Sequence, residues 1–225
     1  MLDKYNYSYE GNELYCYGDT GILINTLNIK DEKELYEVER ELVSLRTLEL
    51  NSKPIQGDFD FKHLKMIHEY LFQDLYEWAG EVRTVNITKN NLFCLIQHID
   101  SFADAIFSRI QRNNYLTGLT VSQKLRELVE IFGDINALHP FREGNGRAQR
   151  EFIESLAKVN GIDLNLSLIE KDVMIIACYE SMNGNNDKLK HIFNKSYNIL
   201  DDSKVKHYVN TLVSDEGIKN TLLSK

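Results

Sequence analysis

Apolar residues recur every three or four positions along most of the chain, a spacing that predicts amphipathic helices. Residues suited to helix N-caps precede several of these stretches: Asp31 with Glu34, Asp60, Thr120, and Ser167 with Glu170. The side chains that we expect to face the core are Leu35, Val38, Leu42, Leu45, Leu48, Leu64, Ile67, Leu71, Phe72, Leu75, Leu125, Leu128, Val129, Phe132, Ile135, Val173, Ile176, Ala177, Leu189, Ile192 and Phe193. The pattern therefore predicts a mainly α fold.

One stretch departs from the helical spacing. Val85 and Ile87 alternate with Asn86 and Thr88, residues 89–91 have the composition of a turn, and residues 92–96 are again mostly apolar. Alternation on both sides of a turn predicts a single β-hairpin in an otherwise helical sequence. The residues at 1–30, rich in Tyr, Asn and Gly, show little periodicity and are expected to form an irregular arm.

Composition narrows the class of protein. A chain of 225 residues with 43% hydrophobic residues can build one sizeable core, and a net charge of −8 argues against general nucleic-acid binding. Cys16, Cys94 and Cys178 are far apart and odd in number, which is typical of reduced thiols in a cytoplasmic protein. We expect no membrane span, since no apolar run approaches about 20 residues. The first residues do not resemble a signal peptide, although delivery by a specialised secretion system stays open.

The densest candidate chemistry lies at residues 139–150, which read His-Pro-Phe-Arg-Glu-Gly-Asn-Gly-Arg-Ala-Gln-Arg. Pro140 is expected to hold His139 in extended geometry and so to end the preceding helix. Gly144 and Gly146 permit a tight turn at the start of the next helix, where main-chain amides and the helix dipole favour an anion. The arginines at 147 and 150 lie three positions apart and would project from one side of that helix.

Two further residues of this stretch complete a possible reaction site. His139 can accept a proton near neutral pH, and Glu143 offers the kind of oxygen ligand that Mg²⁺ uses beside substrate phosphates. Taken singly, a histidine at a helix end, a glycine turn or paired arginines would be ordinary structure. A dinucleotide fingerprint is excluded because Gln149 stands at the third glycine position, and neither a Walker A loop nor zinc-ligand spacing is present. The combination predicts a nucleoside triphosphate, its metal and a base.

The stretch at 139–150 resembles, position by position, the Fic-domain motif His-Pro-Phe-x-Asp/Glu-Gly-Asn-Gly-Arg-x-x-Arg. The resemblance implies a Fic-type helical bundle with one β-hairpin flap, and transfer of AMP from ATP to a Tyr, Thr or Ser hydroxyl of a target protein. It implies that His139 is the base and that Glu143 holds Mg²⁺. It further implies that the phosphates are bound by Gly144, Asn145, Gly146, Arg147 and Arg150, with Arg150 nearest the γ-phosphate.

The resemblance also covers the hairpin and the chain near residue 183. The sequence Trp-Ala-Gly-Glu-x-Arg-Thr-Val at 78–85 is similar to Fic proteins in which the hairpin aligns the target by adding a strand. It implies a target-binding flap of Val85, Asn86, Ile87, Thr88 and Lys89. Adenine contacts would come from Tyr179, Asn183 and Asn186, for which capping and turn roles are the alternative. The implied organisation is an arm at 1–30, a Fic core at 31–194 and a C-terminal helical extension at 195–225.

Regulation is a further implication of the resemblance. Fic adenylyltransferases are commonly inhibited by a helix bearing Ser/Thr-x-x-x-Glu-Gly/Asn, whose glutamate pairs with the second motif arginine, here Arg150. In this chain Glu10, followed by Gly11, is the better candidate, and Glu216 with Gly217 is the weaker one. The segment at 15–25 is more similar to Fic toxins whose inhibitory helix belongs to a separate small antitoxin, and we expect such a partner.

Two other functions remain open at this point. The first is a Fic-fold enzyme that transfers another group, such as a different nucleotide, phosphate or phosphocholine, or that removes AMP. The intact Gly-Asn-Gly-Arg favours an α-phosphate and AMP transfer instead. The second is a nucleotide-sensing interaction module without turnover, against which His139 argues, because binding phosphate needs no base.

Overall fold

A computed structural model describes residues 7–9, 12–89 and 91–224. The strands are β1 (Tyr7–Tyr9), β2 (Ile87–Lys89), β3 (Asn91–Leu92), β4 (Ile162–Leu164) and β5 (Tyr197–Ile199). The helices are α1 (Glu32–Ser52), α2 (Phe61–Phe72), α3 (Ile99–Arg112), α4 (Val121–Leu138), α5 (Asn145–Val159), α6 (Lys171–Met182), α7 (Asp187–Lys195), α8 (Asp202–Leu212) and α9 (Glu216–Leu223). The prediction of a mainly α fold with a hairpin is confirmed.

Three of the predicted helix starts coincide with side-chain caps. Asp31 accepts a hydrogen bond from the Glu34 N–H at 2.9 Å, and Asp60 accepts one from the His63 N–H at 2.7 Å. Thr120 forms a reciprocal capping box at the start of α4. The capping box predicted at Ser167 is wrong, because the Ser167 hydroxyl donates to the Asn165 side chain and α6 begins only at Lys171.

Helix α5 lies at the centre of the bundle and packs against α2, α4 and α8. Phe152 and Leu156 on α5 are fully buried, as are the predicted inner faces of α2 and α4.

The predicted inner faces of two other helices, α1 and α6, are partly wrong. Leu45 and Leu48 are 58% and 65% exposed, because α1 packs along the stripe that contains Val43, and at 100° per residue Leu45 lies about 200° away from it.

In α6, too, some of the residues predicted to face the core are exposed. Val173 and Ile176 are 44% and 37% exposed, whereas Ala177 is fully buried. The helix is apolar on several sides, but its packing partners α4 and α7 cover only one of them. Its sequence therefore does not say which apolar side faces the core. None of the helices in the described ranges is long and apolar enough to cross a membrane.

The strands form two small antiparallel sheets. In the first, with the order β1-β2-β3, Thr88 pairs with Ser8 on one side and with Leu92 on the other. The segment at 1–30 therefore contains a strand, which the sequence analysis did not predict. The return strand is shorter than predicted, because Phe93 turns into the core after β3. In the second sheet, β4 pairs with β5, so that the segment at 195–225 begins with a strand.

Candidate active site

The loop between α4 and α5 carries the motif residues, and its first residue adopts an unusual backbone conformation. His139 has φ 45° and ψ 59°, which is left-handed and not the extended geometry expected from Pro140. The His139 N–H still donates to the Ile135 carbonyl at 3.0 Å, so the residue closes α4 as a left-handed C-cap. Pro140 disfavours only the right-handed helical region for the preceding residue, and histidine is among the side chains that tolerate the left-handed one.

The Arg83 side chain holds the backbone of this loop in place through hydrogen bonds. It is 2% exposed, and its Nε donates to the His139 carbonyl at 2.8 Å. Its two Nη atoms donate to the carbonyls of Val85, at 2.7 Å, and Cys94. One buried guanidinium thus joins the motif loop to the chain on either side of the hairpin. Burial lowers the pKa of Arg83, but an arginine so far above neutral stays charged.

The His139 ring lies against the base of the flap. It stacks on the Phe93 ring with a centroid distance of 3.7 Å and an interplanar angle of 11°. The residue is 9% exposed and its Nδ1 is buried, and the stacking on Phe93 fixes the plane of the imidazole. The prediction of a base at this position requires such a restrained ring, and Phe93 is a positioning residue that the sequence analysis did not identify.

Inside the turn, the Asn145 side chain forms two hydrogen bonds to the backbone of Phe141. Its Oδ1 accepts from the Phe141 N–H at 2.9 Å and its Nδ2 donates to the Phe141 carbonyl at 2.7 Å. The predicted phosphate contact of Asn145 can therefore come from its main-chain N–H, since the side chain clamps the loop. Gly144 has φ 79°, and a Cβ there would lie 2.2 Å from the Phe72 ring, so only glycine fits.

A buried histidine lies beneath the same turn. His68 is 0% exposed and stacks on the Phe141 ring at 3.8 Å. Its Nδ1 accepts from the Gly80 N–H at 2.9 Å, which assigns the proton to Nε2 and makes Nε2 the donor to the Glu143 carbonyl, also at 2.9 Å. Burial lowers the pKa of His68 to about 4. His68 is thus a neutral residue that supports the motif loop.

The two motif arginines flank the first turn of α5. A Cβ built on Gly146 would lie 3.4 Å from Arg150 Nη1, so this guanidinium covers the turn closely. Burial, and then the positive charge of Arg147, lower the pKa of Arg150. The first N–H groups of a helix lack intrahelical acceptors. This end of α5 therefore brings two cations and main-chain donors together, which is an arrangement suited to an anion.

Glu143, the predicted metal ligand, lies at the edge of this anion site. Its Oε1 accepts from the Gly144 N–H at 3.0 Å and is 3.9 Å from Arg147 Nη2, and its side chain is 32% exposed. No cluster of three or more His, Cys, Asp or Glu able to hold a metal occurs within residues 7–9, 12–89 and 91–224. A single carboxylate fits the mode in which Mg²⁺ takes most of its remaining ligands from phosphates and water.

The predicted flap residues occupy β2 and the chain leading into it. Val85 and Ile87 are buried, and Asn86 Oδ1 accepts from the Ile96 N–H at 3.1 Å, so these side chains stabilise the hairpin itself. Thr88 and Lys89 pair with β3 on one edge of β2 and with β1 on the other. Both main-chain edges of β2 are thus occupied within the described residues, one by β3 and the other by residues Tyr7–Tyr9.

Of the predicted adenine contacts, the structure brings Asn186 to a cleft and leaves the others off its walls. The cleft, about 360 Å³, lies between α4 and the α6–α7 loop, and its lining includes Ala137, two residues before His139. Asn186 Nδ2 donates to Glu130 at 3.0 Å, while its buried Oδ1 accepts no hydrogen bond from the described residues. Asn183 caps α6 through the Tyr179 carbonyl, and both are exposed. Glu10, the predicted inhibitory residue, lies outside the described residues.

Comparison with known proteins identifies the family. The Fic/DOC family model matches residues 58–157. The chain is 40% identical over 190 residues to protein adenylyltransferase VbhT of Bartonella schoenbuchensis, covering 84% of this chain and 40% of VbhT; it thus spans two fifths of that relative's length. It is 34% identical over 196 residues to the probable protein adenylyltransferase Fic of Escherichia coli K12, covering 87% of this chain and 96% of that protein.

The fold agrees with these sequence matches. The structure superposes on BepC of Bartonella tribocorum, solved with bound AMPPNP, with a TM-score of 0.78 and 29% identity, covering 84% of this chain and 98% of that chain. The match to Escherichia coli Fic extends over nearly the full length of that relative and includes the motif loop. The chain therefore belongs to the Fic/DOC family.

Proposed function

We propose that this chain transfers AMP from ATP to a hydroxyl group of a target protein and releases pyrophosphate. The observation that carries the proposal is the motif turn, where the restrained His139 ring precedes a helix N-terminus flanked by Arg147 and Arg150. Relatives named protein adenylyltransferases, and the AMPPNP bound to BepC, support the same reaction.

The phosphates would lie along the first turn of α5. Main-chain N–H groups at residues 145 and 146 would donate to oxygens of the α- and β-phosphates, that of Gly144 would join them once released from Glu143 Oε1, and Arg150 would bind the γ-phosphate. Bringing a polyphosphate beside Arg150 would compensate a charge that burial and Arg147 both destabilise. Binding energy would therefore be concentrated on the triphosphate.

The chemical step would use His139 as a general base. As the target hydroxyl oxygen forms a bond to the α-phosphorus, its proton passes to the imidazole, and the bond from that phosphorus to the bridging oxygen of pyrophosphate breaks. The imidazole needs no long-range movement, because Phe93 and the Arg83-bound backbone fix its plane. Positioning and charge stabilisation would supply most of the rate increase, as in phosphoryl transfer generally.

We further propose that Glu143 holds Mg²⁺ when the nucleotide is bound. The ion would neutralise charge on the α- and β-phosphates. Glu143 is partly exposed at the edge of the anion site, so its carboxylate can reach such an ion without disturbing the buried loop.

Asn186, with a buried acceptor facing the cleft beside α4, would contact the adenine amino group.

Inhibition by a separate small protein is the regulation that the surface favours. Tyr36 on α1 and Val173, Ile176 and Tyr179 on α6 are exposed, and the Lys171 ammonium lies over the Tyr36 ring at 5.8 Å, so two neighbouring helices each expose apolar side chains. An inhibitory helix packed there would lie beside α5 and its arginines.

We propose that the activity is cytoplasmic, in agreement with three cysteines that form no disulfide.

Incubation of the protein and a cell lysate with ATP labelled at either the α- or the γ-phosphate tests the proposal. Label on protein from the α-position alone is expected, and His139→Ala should abolish it while ATP binding persists. Label from the γ-position alone would indicate a kinase, and saturable binding without label would indicate a sensor. In the same assay Glu10→Gly should leave labelling unchanged, whereas a large increase would place the inhibitory glutamate in this chain.

A further inference from the structure

A carboxylate of α1 contacts the first motif arginine directly. Glu39 Oε1 lies 2.6 Å from Arg147 Nη2, and the Glu39 side chain is only 13% exposed. The Tyr76 hydroxyl donates to the other carboxylate oxygen, and burial followed by the charge of Glu39 raises the pKa of Tyr76 far above its usual range. Tyr76 therefore stays a donor at every physiological pH and fixes the rotamer of Glu39.

The face of the same guanidinium rests on an aromatic ring. Arg147 Cζ lies 4.6 Å from the centroid of Phe72, which is itself 1% exposed. A guanidinium held by its face and by one nitrogen has a defined plane and a defined rotation in that plane. Arginine carries five N–H donors, and within the described ranges its carboxylate contacts use Nη2. Within the same ranges the Nε and Nη1 donors form no hydrogen bond, which leaves both available to another acceptor.

We propose that Glu39 is a positioning residue, which directs the remaining donors of Arg147 towards the nucleotide phosphates. The inference rests on the proposed function, because the anion that Arg147 would meet is the phosphate tail of ATP. Neither composition nor motif indicates Glu39, which lies more than one hundred positions before Arg147 in the sequence.

Electrostatics gives the contact a second consequence. Arg147 is the third residue of α5, where the helix dipole disfavours a cation, and it lies close enough to lower the pKa of Arg150. The Glu39 carboxylate offsets both interactions in the absence of nucleotide. The side chain would therefore keep the arginine ordered before ATP arrives, so that less conformational entropy is lost on binding.

Three variants of the full chain separate this role from simpler ones. Glu39→Ala removes the contact, Glu39→Gln retains its hydrogen-bonding oxygen without the charge, and Glu41→Ala removes an exposed carboxylate from the same helix as a control. Calorimetry with ATP and with adenosine measures affinity, and α-labelled ATP separates KM from kcat. Thermal unfolding reports stability.

A positioning role predicts that Glu39→Ala weakens ATP binding about tenfold, with adenosine binding unchanged and the loss in transfer appearing mainly in KM. Glu39→Gln should recover most of the affinity, and Glu41→Ala should match the unchanged protein. Unchanged ATP affinity with a lower melting temperature would reduce Glu39 to a structural contact and overturn the inference. Tighter ATP binding in both Glu39 variants would also overturn it, by showing that the carboxylate competes with phosphate.

If the unchanged protein binds ATP but transfers no AMP, the proposed function fails while the binding data still decide the role of Glu39.

Discussion

The neutral state of His68 supports the motif loop and depends on pH. Its Nδ1 accepts from the Gly80 N–H, so a proton added there would face another donor. Because burial lowers the pKa to about 4 from the ordinary 6.5, the unfolded chain takes up the proton before the folded chain does. The associated stability is complete above about pH 6.5 and is lost as the pH falls towards 4.

We therefore predict that His68 alone lowers the free energy of unfolding by about 3 kcal/mol between pH 7 and pH 4, from a shift of about 2.5 pH units. Urea unfolding at pH 7, 5.5 and 4.5 should show a shallower dependence in His68→Gln than in the unchanged protein. His63, whose pKa burial also lowers, is present in both chains and cancels in the difference. Parallel pH dependences would show that His68 does not titrate in this way.

Residues of the site divide into those that local sequence predicts and those that it cannot. His139, Arg147 and Arg150 follow from the order of residues in one short stretch. Arg83 and Phe93 act on His139 across more than 40 positions of sequence, through a carbonyl and a ring face that no periodicity encodes. A buried arginine and a core phenylalanine also look like ordinary packing until the loop they contact is known.

At the level of elements, strand β1 occupies one edge of β2, and we propose that a target segment pairs with that same edge. Its residues pair with β2 in the register Tyr7 to Lys89, Ser8 to Thr88 and Tyr9 to Ile87. Backbone pairing is insensitive to sequence, so a target segment could replace β1 without matching its residues. On this proposal the chain's own strand and an incoming target would compete for one set of main-chain groups.

A proline in β1 should shift that competition towards the target. Proline removes an N–H donor. Because only alternate residues of an antiparallel strand donate to a given neighbouring strand, one of the two variants Ser8→Pro and Tyr7→Pro removes a hydrogen bond to β2. Losing one net hydrogen bond, about 1 kcal/mol, should raise α-label transfer to lysate proteins about fivefold in at least one variant. Ser8→Ala, which keeps its N–H, should behave like the unchanged chain. Unchanged or reduced transfer in both proline variants would contradict competition at this edge.

Elements with strong local signals were predictable, and those stabilised by distant partners were not. The caps at Asp31, Asp60 and Thr120 are encoded within four residues, and each was confirmed. Strands β4 and β5 have three residues each and pair across more than 30 positions, which is too short for a periodic signal. The same reasoning explains β1, whose partner lies in the hairpin.

The C-terminal segment shows how the parts of the chain depend on one another. The family resemblance implies an extension at 195–225 outside a core at 31–194. In the structure β5 completes the sheet with β4, and α8 packs on α5. The Gly57 N–H donates to the Leu212 carbonyl at 2.9 Å, which joins the end of α8 to the segment before α2. We infer that this segment is part of the folding unit.

Truncation gives a graded test of that inference. A chain ending after residue 196 loses β5, α8 and α9, and with them the buried side chains Val205, Val209, Leu212, Val213 and Leu222. At about 1.5–3 kcal/mol for each, the loss is about 7.5–15 kcal/mol, comparable to the whole stability of a typical domain. This chain should lack a cooperative thermal transition by circular dichroism. A chain ending after Asp215 loses only α9, whose buried residue is Leu222, and should fold with a lower melting temperature. If the shorter chain also unfolds cooperatively, the segment is an appendage, because the remaining core at 31–194 is then sufficient to hold α5 and its motif loop.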